Sequence, residues 1–184
     1  MAENKKNEEG QAKKVDYDFA AHETPIFNEW VKEGYFRRSK GQGEHADDTF
    51  TIVVPPPNIT GVLHMGHALN ETIQDTCIRR ARMRGYQTRW IIGTDHAGIA
   101  TQTKVDKKLA DQGISRLEIG REKFIEACYD WRREYGTTIV NQIKGMGCSG
   151  DFEDEHFTLD PDYVLAVRKV FTDWYHQGLI YKGK

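Results

Sequence analysis

Along this chain apolar residues recur in two rhythms, and the switches between them outline the elements. Short β-branched and aromatic runs read as strands, and apolar residues returning every three or four positions read as helices. Phe50-Thr51-Ile52-Val53-Val54, bounded by three prolines, predicts a buried strand. From Gly66 to Arg84 the spacing predicts a helix, with Leu69, Ile73 and Cys77 at steps of four and Gly85 as its stop. Thr88 to Ile92 predicts a second strand, so that strand, helix and strand form one right-handed βαβ unit of a parallel sheet. Thr101 to Gln112 predicts a further helix, with Val105 and Leu109 inward and Gly113 after its end.

Two long helices follow. Phe124, Cys128, Trp131, Tyr135, Ile139, Ile143 and Met146 step by three and four, the signature of an amphipathic helix packed on the core. Asp160 as N-cap and Pro161 at the first helical position open the last helix, whose apolar side is Val164, Val167, Phe171 and Trp174. Leu179-Ile180-Tyr181 reads as the opening of another strand. Ahead of the sheet, Thr24 to Gly34 predicts a short helix with Pro25 in its first turn and Ile26, Phe27, Trp30 and Val31 as its apolar face. Residues 1–14 carry almost nothing apolar and predict a disordered, solvated tail. The expected division is therefore tail (1–14), helical lead-in (15–48) and a nucleotide-binding α/β domain (49–184).

Charge and cysteine content narrow the class. With 26 basic and 28 acidic residues the net charge is −2, so any contact with nucleic acid has to come from a local patch. Cys77, Cys128 and Cys148 are far apart and odd in number, which fits a reducing cytosol and no metal or disulfide framework. No apolar run approaches the roughly 18 residues of a membrane span.

The chemistry is concentrated in the first strand-to-helix turn, Pro55-Pro56-Pro57-Asn58-Ile59-Thr60-Gly61-Val62-Leu63-His64-Met65-Gly66-His67. In a parallel sheet, ligands bind beyond the carboxyl ends of strands, where helix amino termini present unpaired N–H groups suited to phosphate. His64 and His67 share one face of the opening turn, and Gly66 between them lets a flat ring or a phosphate approach the backbone. Two imidazoles there can donate to oxygens whose charge changes during reaction. Capping or packing at the helix start is the plainer alternative. A metal site is weaker, because helical ligand pairs usually sit at i and i+4 and no third ligand stands nearby.

The span Pro57–His67 resembles the HIGH signature of the class I aminoacyl-tRNA synthetases. Its His-Met-Gly-His form with a Pro-Pro-Pro-Asn lead is similar to the valine-specific branch. Gly93-Thr94-Asp95-His96-Ala97-Gly98-Ile99-Ala100-Thr101-Gln102 resembles a second segment of that branch, and likeness continues through Gly120–Phe124 and from Phe157-Thr158 to Tyr181–Gly183. Ile92 and Phe152 depart from the usual pattern, where a proline and a tryptophan are common.

The resemblance implies the first half of a Rossmann-like catalytic domain, cut before an editing insertion and lacking the Lys-Met-Ser-Lys-Ser loop. It implies ATP-dependent activation of valine and transfer to tRNA(Val), with Mg2+ accompanying ATP, in a monomeric cytoplasmic parent. By that likeness, His64 and His67 contact the ATP phosphates. Pro57, Asn58, Thr60 and Gly66 complete the ATP site. Pro56, Asn58 and Asp95 bind the amino acid, with Asp95 facing its ammonium group. The alternative for Asp95 is the N-cap of the following helix, which is compatible with the first role, and His96 reads as a structural hydrogen-bonding group or a substrate contact. Arg79, Arg80, Arg82 and Arg84 read as a phosphate patch or, more commonly for such a run, a solvated helix end. A related class I ligase of isoleucine type and a non-catalytic nucleotide-binding piece stand as alternatives.

Overall fold

A computed structural model describes residues 17–183, and the tail expected over 1–14 lies outside them. Three parallel strands form the sheet in the order β1-β2-β3: β1 (Thr49–Val53), β2 (Gln87–Thr94) and β3 (Asp151–Phe157). Before them runs α1 (Phe19–Lys32), and between β1 and β2 lies α2 (Met65–Met83). Between β2 and β3 come α3 (Ile99–Asp111) and α4 (Arg116–Gly145), and α5 (Pro161–His176) follows β3. The α/β class and the parallel pairing across the first helix are as the sequence predicts.

The core forms where the apolar faces of α2, α3 and α4 meet β2. Trp90 and Ile92 of β2 are fully buried, against Ile78 of α2, Val105 of α3 and Trp131, Ile139 and Ile143 of α4. The spacing of α4 holds, although its first turn is set off by Gly120, which takes φ 78° inside the helix. Gly93 has a packing role. A Cβ there would sit 2.6 Å from the carbonyl oxygen of His156, so only glycine allows β3 to pair with β2 where the register shifts.

Several expectations are corrected. α1 begins at Phe19, so Pro25 sits inside the helix, and Ile26 is exposed while Phe27, Trp30 and Val31 are half-buried. β1 is not a buried strand. It lies at the edge of the described sheet with every second residue exposed, Val53 by 62%. On α2 the residues turned inward are Glu71, Ile78 and Ala81, whereas Leu69, Ile73 and Cys77 face out. Leu179–Tyr181 forms no strand, since no neighbour among the described residues pairs with it. The apolar side expected on α5 has no buried residue, and Val167, Phe171 and Trp174 are exposed.

β3 itself has no counterpart in the sequence reading, because Asp-Phe-Glu-Asp-Glu-His-Phe shows no apolar run. Its charges find remote partners. Arg37 pairs with Glu153 at 2.5 Å, and Arg89 of β2 pairs with Asp154. Of the arginine run on α2, Arg80 is exposed, as at a solvated helix end, whereas Arg79 and Arg82 take partners within the fold. Arg79 bonds Asp75 at 2.7 Å and the Gly147 carbonyl at 2.6 Å, Arg82 bonds Ser149 at 3.1 Å, and both guanidinium groups lie over Phe36. These side chains fasten the lead-in and the turn before β3 to α2.

Candidate active site

After Val54 the prolines carry the chain out of β1 as an extended segment, and it passes beside the end of β2. The Ile59 N–H donates to the Asp95 carbonyl at 3.0 Å, and the Asp95 N–H donates to the Pro57 carbonyl at 2.8 Å. The two strand ends are thereby locked side by side. From the other direction α4 pins the same turn. The indole N–H of Trp131 donates to the Ile59 carbonyl at 2.6 Å, and Oε1 of Gln142 accepts from the Leu63 N–H at 2.9 Å. Neither Trp131 nor Gln142 is marked by sequence as part of a site. Trp131 shows only as a core position of its helix.

At the head of α2 the two histidines cap the helix and each other. His64 is the N-cap residue, with extended backbone, and its Nδ1 accepts from the Gly66 N–H at 3.1 Å. In return Nδ1 of His67 accepts from the His64 N–H at 3.2 Å. The rings lie 3.9 Å apart between centroids. Because both Nδ1 atoms accept, each neutral ring carries its proton on Nε2, a donor that the cap leaves free. Burial, and secondarily the neighbouring His64, lowers the pKa of His67, which favours the neutral form that the cap requires. Gly66 is needed for this packing. A Cβ there would stand 2.9 Å from Cε1 of His64. Capping and ligand contact are thus compatible: the plain alternative for the pair is present in the structure and uses the other nitrogen of each ring.

A groove of about 610 Å³ opens between this turn and α2. It gathers Pro56, Pro57, Asn58, Thr60, His64, Gly66 and His67, together with Asn70, Glu71 and Gln74 from the next turns of the helix. The residues expected around ATP therefore share one surface. Glu71 is missing from the sequence reading. It is 2% exposed, and burial pushes its carboxyl up to about 7. Its position four residues after His67 was the available signal.

Asp95 stands apart from this groove, joined to it through the backbone of Asn58. Its Oδ1 accepts from the Thr158 hydroxyl at 2.9 Å, and the same hydroxyl accepts from the His96 N–H at 2.9 Å. Nδ1 of His96 lies 2.5 Å from that oxygen and 3.3 Å from the Asp95 carboxylate, so its proton sits on Nδ1. Asp95 does not cap α3. The cap residue there is Gly98, with no side-chain bond. His96 also borders a second cavity of about 580 Å³, between α3 and α4, lined among others by Thr101, Phe124, Cys128 and Arg132. Among the described residues no group of three or more His, Cys, Asp or Glu side chains could hold a metal ion, and no helix is long and apolar enough to cross a membrane.

Residues 25–184 match the family described as tRNA synthetases class I (I, L, M and V), and the chain belongs to that family. It is 50% identical over 171 residues to the Valine--tRNA ligase of Staphylococcus carnosus (strain TM300), a match covering 93% of this chain and 19% of that protein. The Valine--tRNA ligase of Staphylococcus aureus (strain Newman) is 48% identical over the same length, again 19% of the relative. The chain thus spans about a fifth of the length of these relatives. In fold it is similar to a chain of the ternary complex of Agrobacterium radiobacter K84 agnB2 LeuRS, tRNA and LeuAMS. There the TM-score is 0.70 and the identity 23%, over 90% of this chain and 19% of that one.

Proposed function

We propose that this chain is part of the catalytic domain of an enzyme that activates valine with ATP and transfers it to tRNA(Val). The observation that carries the proposal is the half-identity to Valine--tRNA ligases across 93% of the chain. Residues 15–48 serve as a lead-in, and 49–184 as the first half of a nucleotide-binding catalytic domain.

The first step joins a carboxylate oxygen of valine to the α-phosphorus of ATP and breaks the bond to the bridging oxygen of pyrophosphate. The terminal ribose hydroxyl of tRNA then attacks the acyl carbon and releases AMP. Such chemistry needs positioning and charge stabilisation more than covalent help. His64 and His67 supply Nε2–H donors at the head of α2, where the helix dipole also favours an anion. Gly66, Thr60, Asn58 and Pro57 shape the ATP side of the groove. Pro56 and Asn58 border the amino acid, and Asp95 balances its ammonium group, because a buried cation without a partner is costly. Mg2+ enters with the triphosphate, as part of the substrate.

Valine-stimulated exchange of pyrophosphate into ATP, measured on the protein of the relatives' length, tests the proposal. Valine must stimulate more strongly than isoleucine or leucine. Equal or greater stimulation by isoleucine assigns a different amino acid.

A further inference from the structure

The groove holds one polar group that its neighbours leave unsatisfied. Asn70, Gln74 and Trp90 are linked in series: Nε2 of Gln74 donates to Asn70, and Oε1 of Gln74 accepts from the Trp90 indole at 3.2 Å. Glu71, between Asn70 and Gln74 in the lining, joins no such chain. Its Oε2 is buried and has no hydrogen-bond partner among the described residues. A buried polar atom left unpaired costs on the order of 1–3 kcal/mol, more if charged, so a carboxyl kept in this position needs a reason.

Position supplies one. Glu71 follows His67 by four residues, and helical side chains lean toward the amino terminus of their helix. One turn along the helix from His67, Glu71 lines the same groove as both histidines. No Lys or Arg lines that groove. The group that feels the charge of Glu71 is Cys148, from the turn before β3, which Asp75 and Arg79 of α2 also influence. The thiol of Cys148 is pushed up to about 12 by burial, with Asp75 and Glu71 adding to the effect. Arg79 favours negative charge at that thiol, but on Glu71 itself the effect is that of burial, which disfavours the charged form.

We propose that Glu71, in its neutral acid form, is a third hydrogen-bond donor of the phosphate site headed by His64 and His67. This rests on the assignment of the groove to the ATP phosphates. A carboxylate would repel that anion, whereas a carboxylic acid presents an O–H to a phosphate oxygen and satisfies the buried group at once. ATP binding is then accompanied by proton uptake at Glu71. The site loses affinity as pH rises past the point where the free carboxyl ionises, and burial places that point at about 7.

ATP affinity of the 184-residue chain, measured from pH 6 to 8.5 for the wild type, Glu71→Gln and His67→Ala, tests this. Gln presents an N–H at every pH and nearly the same shape, and the titrations of ATP and the histidines cancel in the ratio of variant to wild type. Near pH 6 the ratio should lie within about twofold of unity, and by pH 8.5 Glu71→Gln should bind roughly tenfold more tightly than wild type. Calorimetric titration in two buffers of different ionisation enthalpy should show proton uptake in the wild type that Glu71→Gln lacks, which a purely structural role would not produce. Parallel pH profiles overturn the proposal, as does a wild-type advantage at high pH that depends on Mg2+, since that assigns a carboxylate–metal contact. If His67→Ala weakens ATP while the other two profiles run parallel, only the role of Glu71 falls. If His67→Ala is also without effect, the phosphate site itself is misplaced and both assignments fall.

Discussion

Two strand-to-helix turns face the same end of this sheet, and they are built in opposite ways. In the turn from β1 into α2 the helix head is closed from within, because His64 and His67 exchange bonds three residues apart, although Trp131 and Gln142 of α4 support the residues before it. The turn from β2 into α3 is held from outside. There Ala97 and Gly98 take φ 51° and 47°, the cap residue offers no side chain, and the one charged group, Asp95, is fixed by Thr158 from beyond β3. A turn closed by local bonds leaves its outward Nε2–H groups free for a ligand. A turn closed remotely gives its carboxylate a role in the fold as well.

The largest expected effect lies in the first turn. His67→Ala removes both a cap acceptor and an Nε2–H donor. In the protein of the relatives' length, the rate of adenylate formation should fall by roughly 10²–10³, as for loss of a preorganised donor. Valine affinity should change little. Pyrophosphate exchange within about twofold of wild type would sink the assigned role and leave His67 as a cap only.

Asp95→Asn separates the two duties of the second turn. Asparagine can still accept from the Thr158 hydroxyl, so the fold should hold, while the charge proposed to face a substrate ammonium group is lost. Valine binding should weaken by about 2 kcal/mol, the scale of a hydrogen bond to a charged group. Unchanged valine affinity with a lower melting temperature would confine Asp95 to tying the strand ends to Thr158.

The remote support of the first turn gives the next effect. Trp131→Phe keeps the ring against Tyr135 but leaves the buried Ile59 carbonyl without its donor. About 1–2 kcal/mol of stability should be lost in urea denaturation. A variant as stable as wild type would mean that water replaces the indole and that α4 does not hold the turn.

What could be read in the chain follows the same division between local and remote. The extent of α2, the glycines that end it and α3, and the histidine turn are all settled within a few residues, and the sequence shows them. So is the cap of α5 at Asp160, although its side chain turns to the Phe157 N–H at 2.7 Å instead. Thr158 was visible only as half of a Phe-Thr pair, and nothing near it says that its hydroxyl reaches Asp95. β3 escaped notice because its acidic residues are matched by Arg37 and Arg89, distant in sequence. Glu71 looks like any solvated helix glutamate until the sheet is laid beneath it. The seven candidate residues that line the groove beside α2 came together because six of them, Pro57 to His67, lie in one turn, with Pro56 next to it. Asp95, from another element, sits one backbone bridge away.

The smallest effect sharpens the comparison through the helices that the two turns launch. Each carries apolar residues four apart: Leu69 and Ile73 on α2, Val105 and Leu109 on α3. By periodicity they are indistinguishable, yet Leu69 is 65% and Ile73 57% exposed, whereas Val105 is 2% exposed and Leu109 packs on the core. The difference is one of rotation: α2 turns Glu71, Ile78 and Ala81 inward, whereas α3 turns Thr101 and Val105 inward. In the 184-residue chain, Val105→Ala should therefore cost roughly 1–3 kcal/mol through lost burial and the cavity left behind, and Leu69→Ala should stay within about 0.5 kcal/mol. Urea midpoints of the two variants, each against wild type, measure both. If Leu69→Ala were as costly as Val105→Ala, its side chain would be covered in solution, and repeating the measurement at several protein concentrations would show whether a second copy covers it.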